Sequence, residues 1–253
     1  MSPTPGAPLS AEAIVDDIVR KIPTINGFTE LVYGSIPPEQ GAVICRSLGE
    51  SGVVESSSAR VNFNSVTGTL WIRLKPTGLH DVPQRWFGHA RDTWIFDGLI
   101  NRSESKLVDM GVGTTFNSFT GPYIHSSKEP DLFLRPDTHP LPRIVVESGW
   151  TESWPRLDAD RDLAEVGNAR RRYGQGDGGD LDQRSRGWSG SSIFPVPVPA
   201  PAPDTEAVQF TKQDLFGPHM VPGQDPNTVL SLHLADLRDF ARERMATMGL
   251  TPA

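Results

Sequence analysis

The chain has 253 residues, a net charge of −7 and 37% apolar residues, proportions of a globular protein with one good-sized domain or one domain plus tails. The acidic balance argues against a broad nucleic-acid-binding surface, although a metal and a local basic strip can outweigh it at a single cleft. No apolar run approaches the ~20 residues that span a bilayer, and the one cysteine, Cys45, excludes an internal disulfide and a thiolate zinc cluster.

The chain starts with a Pro-, Ser- and Gly-rich leader, residues 1–10, that reads as disordered. It has neither the basic start nor the apolar core of a secretory signal. With a lone, reduced, partly buried cysteine, this predicts an intracellular protein, cytoplasmic or nuclear. A first helix follows, with Ser10 as N-cap and Ala11, Ile14, Val15, Ile18 and Ile22 at helical spacing up to Pro23. "SIPPEQG" then reads as a turn and a helix start. Val61, Phe63 and Ser65, then Leu70, Ile72 and Leu74, alternate with polar or large residues, and Thr67-Gly68 turns one strand into the next. Trp86, Phe87, Ala90, Trp94 and Ile95 suit one face of a helix. "KLVDMGVGTTF" holds a short strand. "KEPDLFLRP" and "RIVVESGW" are two more, joined by a loop that Pro140 and Pro142 keep out of any ladder.

The character changes after residue 150. "TESWPRLDADRDLAEVGNARRRY" opens as a helix and decays into a Gly-rich stretch with almost no apolar residue. "IFPVPVPAPAPD" reads as an extended polyproline-like connector. The tail ends in an amphipathic helix with Leu234, Leu237, Phe240, Ala241 and Met245 on one side. The expected organisation is a leader (1–10), a mixed α/β domain (11–168), a disordered linker (169–205) and a C-terminal segment (206–253) whose helix packs back on the domain.

The chemistry concentrates in "KEPDLFLRPDTHPLPRIVVESGW", residues 128–150. Asp131 opens one short strand and Glu147 lies at the end of the next. In an antiparallel hairpin, with neighbouring strands under ~5 Å apart, two such carboxylates on one face can share a hard cation that asks for oxygen ligands and keeps several waters. A turn residue and a paired strand-end charge are the commoner meaning of that spacing. The six histidines never fall at a close metal-type pair. His80, beside Asp81 after the "WIRLK" strand, is the one that stands where an acid–base partner would. "GVGTT" lacks the GK[ST] of a phosphate loop and reads as a turn, "ARRRY" as a solvated run, and the tryptophans as core or rim aromatics.

Lys128-Glu129-Pro130-Asp131 and the stretch Pro142 to Ser153, "PRIVVESGWTES", resemble the PD-(D/E)xK, or restriction-endonuclease-like, superfamily, and more narrowly a fungal branch of it with a "KEPD" strand and a "PxxVVEVGxSES" strand. "NFNSVTGTLWIRLKPTGLHD", "IFPVP", "LFGP" and the last helix are similar to that branch as well, so the resemblance spans most of the chain outside about 170–192. It implies a mixed α/β fold with an αβββαβ core, and Asp131 and Glu147 as ligands of Mg2+ or Mn2+. It implies a helical acid, for which Glu12 or Glu30 stands available, and a nuclease that hydrolyses phosphodiesters, with nucleic acid as partner. Where the family has the lysine of ExK this chain has Gly149. The basic group that some members carry on the following helix corresponds here to Arg156, which can offset charge but is a poor proton acceptor. The core's last buried strand has no apolar run to form it between residues 168 and 192, so the core is expected to be incomplete. The alternative implied is a non-catalytic descendant of the fold that serves as a binding or interaction module.

Overall fold

A computed structural model describes residues 9–74, 78–137, 139–147 and 206–250. It is a mixed α/β chain built on small antiparallel sheets, and it divides into two compact units. Among the described residues, the first unit holds 9–74 and 113–129; the second holds 78–112, 130–147 and 206–250.

The first unit begins with α1 (Ala11–Lys21), where the Ser10 side chain accepts from the Ala13 N–H. That bond satisfies one of the donors a helix start leaves open. Ile14 and Ile18 are buried, and a short 3-10 turn, Ile22–Thr24, carries the chain past Pro23. β1 (Thr29–Tyr33), α2 (Pro38–Gly49), α3 (Gly52–Ser56), β2 (Arg60–Asn64) and β3 (Thr69–Leu74) follow. The sheet order is β1-β3-β2, both pairs antiparallel, and Gly68 takes a φ of 61° in the turn of the β2–β3 hairpin. The core gathers Ile14, Ile18, Ile44, Leu48, Phe63, Leu70, Ile72 and Leu74. Gly41 lets α2 settle on β2: a Cβ there would lie 2.1 Å from the Phe63 ring.

Alternation in β2 and β3 predicts one buried and one open face. The structure differs. Arg60, Asn62, Asn64 and Arg73, all on the expected open face, are buried too. Residues 113–129 belong to the same unit: Phe63 and Ser127 exchange backbone hydrogen bonds, and the Asn62 side chain accepts from the Glu129 N–H. Such burial is tolerated because the polar groups find partners.

In the second unit, a 3-10 turn, Gly78–Asp81, leads into α4 (Val82–Phe96), with Pro83 in the first turn where a missing N–H costs nothing. Trp86, Phe87, Ala90 and Trp94 are buried as expected, while Ile95 lies on the outer face. α5 (Arg102–Leu107), β4 (Val108–Gly111), β5 (Leu132–Pro136) and β6 (Ile144–Val146) come next, with β5 central in an antiparallel sheet. Leu132, Phe133 and Leu134 are all buried, so β5 is covered on both faces. The C-terminal residues add the hairpin of β7 (Ala207–Thr211) and β8 (Val229–His233), the short α6 (Lys212–Phe216) and α7 (Leu234–Thr247). α4 packs against β8 and α7. Its tryptophans also hydrogen-bond there, Trp86 Nε1 to the His233 carbonyl at 2.7 Å and Trp94 Nε1 to that of Ser231 at 3.0 Å. The C-terminal segment is thus part of the second unit's core, with Leu215, Phe216, Leu230 and Leu232 buried beside α4 and β5. Residues 148–205, which include the expected disordered linker, lie outside the described residues. No helix among the described residues is long and apolar enough to cross a membrane.

Candidate functional site

The β5–β6 hairpin pairs Leu132 with Val146, Phe133 with Val145 and Leu134 with Ile144. Asp131 lies just before the first paired residue of β5 and Glu147 just after the last of β6, at the same end of the hairpin. Local sequence explains the geometry. The apolar trios Leu132–Leu134 and Ile144–Val146 set the register, and Pro140 and Pro142 stay out of the ladder. Arg143 donates to the carbonyl of Asp214 at 3.0 Å, which ties the start of β6 to α6.

Asp131 is 1% exposed, and a carboxylate so deep needs a partner. His80, 3% exposed, supplies one: its Nδ1 lies 3.5 Å from Asp131 Oδ1. Glu147 is half-buried, with Oε1 out of solvent. His80 therefore faces Asp131, not the adjacent Asp81 that its sequence position pointed to. The signal that could have found this was weak: a histidine just before α4, in a turn that follows an apolar strand.

The first half of "KEPD" is fixed differently. Lys128 and Phe116 exchange backbone hydrogen bonds at 2.8 and 2.9 Å, and the Glu129 N–H goes to Asn62. Both residues belong to the first unit, whereas Pro130 and Asp131 belong to the second. The first unit also carries a row of charge that sequence reading missed. Glu30, Arg73 and Arg60 occupy one register level across β1, β3 and β2. Arg73 Nε lies 3.4 Å from Glu30 Oε1, and Arg60 Nε 3.7 Å from Glu129 Oε1. Two arginines opposed on neighbouring strands repel, and the flanking glutamates offset that repulsion.

Neither acid proposed for a helical position joins the hairpin pair within its unit. Glu12 is exposed on α1, and Glu30 sits in a strand; both belong to the first unit. Arg156, the expected basic group, lies outside the described residues, as does "ARRRY". "GVGTT" is the end of β4 and a turn: Gly113 has a φ of 70°, and a Cβ on Gly111 would lie 2.3 Å from the Phe133 ring. Two histidines far apart in sequence, His139 and His219, meet edge to face at 5.5 Å, with His139 Nδ1 2.7 Å from the Leu141 carbonyl oxygen. Cys45 is chemically quiet, since burial pushes its thiol up to about 12.

No family model, curated protein or solved structure matches this chain. Its chemistry must be argued from its own side chains. Among the described residues no group of three or more His, Cys, Asp or Glu side chains is gathered as a metal site would gather them. What the hairpin offers is two carboxylates at one of its ends, hard oxygen donors of the kind Mg2+ and Mn2+ take.

Proposed function

We propose that this chain is a restriction-endonuclease-like protein whose Asp131 and Glu147 hold a divalent cation, Mg2+ or Mn2+, and whose reaction is hydrolysis of a phosphodiester in nucleic acid. The observation that carries the reading is the pairing of β5 with β6, which leaves the two acids at the same end of the hairpin, Asp131 at the start of a buried strand. The run from α5 through β4, β5 and β6, one helix and three antiparallel strands, agrees with the opening of an αβββαβ core.

The chain's own groups divide the work as follows. Asp131, beside buried Leu132 and near His80, supplies one carboxylate. Glu147 presents the second from the facing strand. Arg156 offsets negative charge on the phosphate, and water is the nucleophile. A divalent ion held there would lower the pKa of that water and stabilise the charge that develops on phosphorus oxygens.

Gly149 stands where a lysine would position the water, and the net charge is −7. Those two facts favour a second reading, a non-catalytic descendant of the same fold that binds without cutting. Calorimetric titration with Mn2+ decides between site and relic. Binding in the wild type that vanishes in Asp131→Ala and Glu147→Ala supports a metal centre; no binding rejects it. Cleavage of single- or double-stranded DNA or RNA by the wild type, lost in the same variants, supports the nuclease; metal binding without cleavage supports the binding module.

A further inference from the structure

We infer that Asn26-Gly27 is a site of spontaneous covalent modification in the folded protein. Asn26 loses its side-chain amide to attack by the Gly27 backbone nitrogen, and aspartate and isoaspartate take its place, with water as the co-reactant.

The argument starts from placement. The dipeptide stands in the link between the 3-10 turn Ile22–Thr24 and β1, outside any helix or strand, and both residues are exposed. Ring closure asks the Gly27 nitrogen to reach Asn26 Cγ, a step that depends on how freely the two can approach. Among the described residues no group accepts from the Gly27 N–H, and none bonds the Asn26 amide. A Cβ at Gly27 would meet nothing within 4 Å, so no neighbouring side chain crowds the attack. Glycine itself leaves the backbone at its widest range of conformations.

Two comparable dipeptides are held shut. At Asn64-Ser65, Asn64 is 2% exposed and its Oδ1 accepts from the Val66 and Thr67 N–H groups. The Ser65 N–H is taken by Ser126 Oγ at 2.9 Å. At Asp97-Gly98, where the same ring could form with loss of water, the Gly98 N–H donates to the Ile95 carbonyl at 3.1 Å at the end of α4. The attacking nitrogen is engaged in both, and at Gly27 it is not.

The chemistry balances without an oxidant or a metal. The Gly27 nitrogen gives up its proton and forms a bond to Asn26 Cγ, and the Cγ–Nδ2 bond breaks. Ammonia leaves with the proton, and a five-membered succinimide remains. Water opens that ring at either carbonyl, giving aspartate or an isoaspartate whose main chain runs through the former side chain. Either product adds a negative charge to a chain already at −7. The isoaspartyl form also lengthens the main chain just before β1, whose first residue, Thr29, pairs with Leu74.

The test is incubation of the full chain in mildly alkaline buffer, native and in guanidinium chloride, followed by tryptic peptide mapping. Asn26 is the sole asparagine of the peptide spanning residues 22–46, so a mass shift there is assigned directly. The expected result is conversion of Asn26 in the native chain within about tenfold of its rate in denaturant, with both aspartyl and isoaspartyl products. Asn64 should stay intact while folded and convert only in denaturant. Gly27→Ala should slow the reaction at Asn26 by about tenfold or more. That variant keeps the fold, since the Cβ space is open and the Gly27 φ is not positive. Native Asn26 that stays intact while the denatured chain converts overturns the inference. So does conversion in Gly27→Ala at the wild-type rate, or a product that is aspartate alone, which would mean direct hydrolysis without the ring.

Discussion

The two units of this chain bury charge in different ways. In the first, Glu30, Arg73 and Arg60 run acidic, basic, basic across one level of a sheet, with Glu129 beside Arg60. In the second, two of the buried pairs differ in quality. Glu104 and Lys212 are 0% and 3% exposed, with Lys212 Nζ 2.9 and 3.0 Å from the two carboxylate oxygens. Glu104 Oε2 also accepts from the Asn101 N–H at 2.8 Å, and Lys212 Nζ reaches Gln224 at 3.3 Å. That network ties α5 to α6, with Glu104 Oε1 held by the ion pair alone. His80 and Asp131 are equally deep but stand 3.5 Å apart. The lesson is that burial alone does not mark a site: a buried ion pair that ties two helices together is structure, and a buried His–Asp pair at a strand end is where chemistry is worth seeking.

The comparison breaks most sharply at Lys212. Lys212→Met leaves Glu104 buried without its cation and is expected to cost about 3–5 kcal/mol. The double variant Glu104→Leu with Lys212→Met should recover most of it, because paired removal strands no charge. Urea titration of the three variants reads this directly. A Lys212→Met loss under about 1 kcal/mol would show that the pair is not the anchor described.

Next in size come the glycines under phenylalanine rings, one in each unit. Gly41 lies beneath Phe63, and Gly111 beneath Phe133. Replacing either with alanine forces a buried ring to move, at an expected cost of about 1–3 kcal/mol. Hydrogen exchange sharpens the contrast: Gly41→Ala should raise exchange in β2 and α2, and Gly111→Ala in β4 and β5. Uniform loss of protection across both units in either variant would mean that they open as one.

A smaller effect is chemical. With its thiol pushed up to about 12 by burial, Cys45 should resist alkylation at pH 8 in the folded protein and react once the chain is unfolded. Prompt labelling of the native protein would mean that the first unit opens readily around α2.

The smallest effect concerns Asp17. Lys21, Tyr33 and Arg20 donate to its carboxylate and hold it down to about 2. A depressed carboxyl contributes stability above its unfolded value of about 3.9, and that contribution fades as pH falls through the folded value. Asp17→Asn should remove this part of the acid dependence between about pH 4 and pH 2. The group is at the surface, so the difference between the two acid titrations should shrink as salt is added.

Much of this was legible from residue spacing. Ser10 and the isoleucines marked α1, the tryptophans marked α4, and the apolar stripe after Leu234 marked α7. Each rests on local periodicity, which a helix reports wherever it sits. The short apolar runs after Asp131 and before Glu147 also specified their strands, β5 and β6. β8 alternates buried Leu230 and Leu232 with Ser231 and His233, but so short a run, passing directly into α7, did not stand apart from the helix that follows.

What tertiary structure alone decided are the partners of buried charges. Nothing near His80 in the sequence points to Asp131, and Lys212 meets Glu104 across a separation of 108 residues. The polar sides of β2 and β3 read as open faces, and a segment from elsewhere in the chain meets them. Side-chain periodicity encodes how each element turns its faces, since that follows from backbone geometry alone. Which faces then meet depends on the path of the whole chain, and no local pattern carries that path.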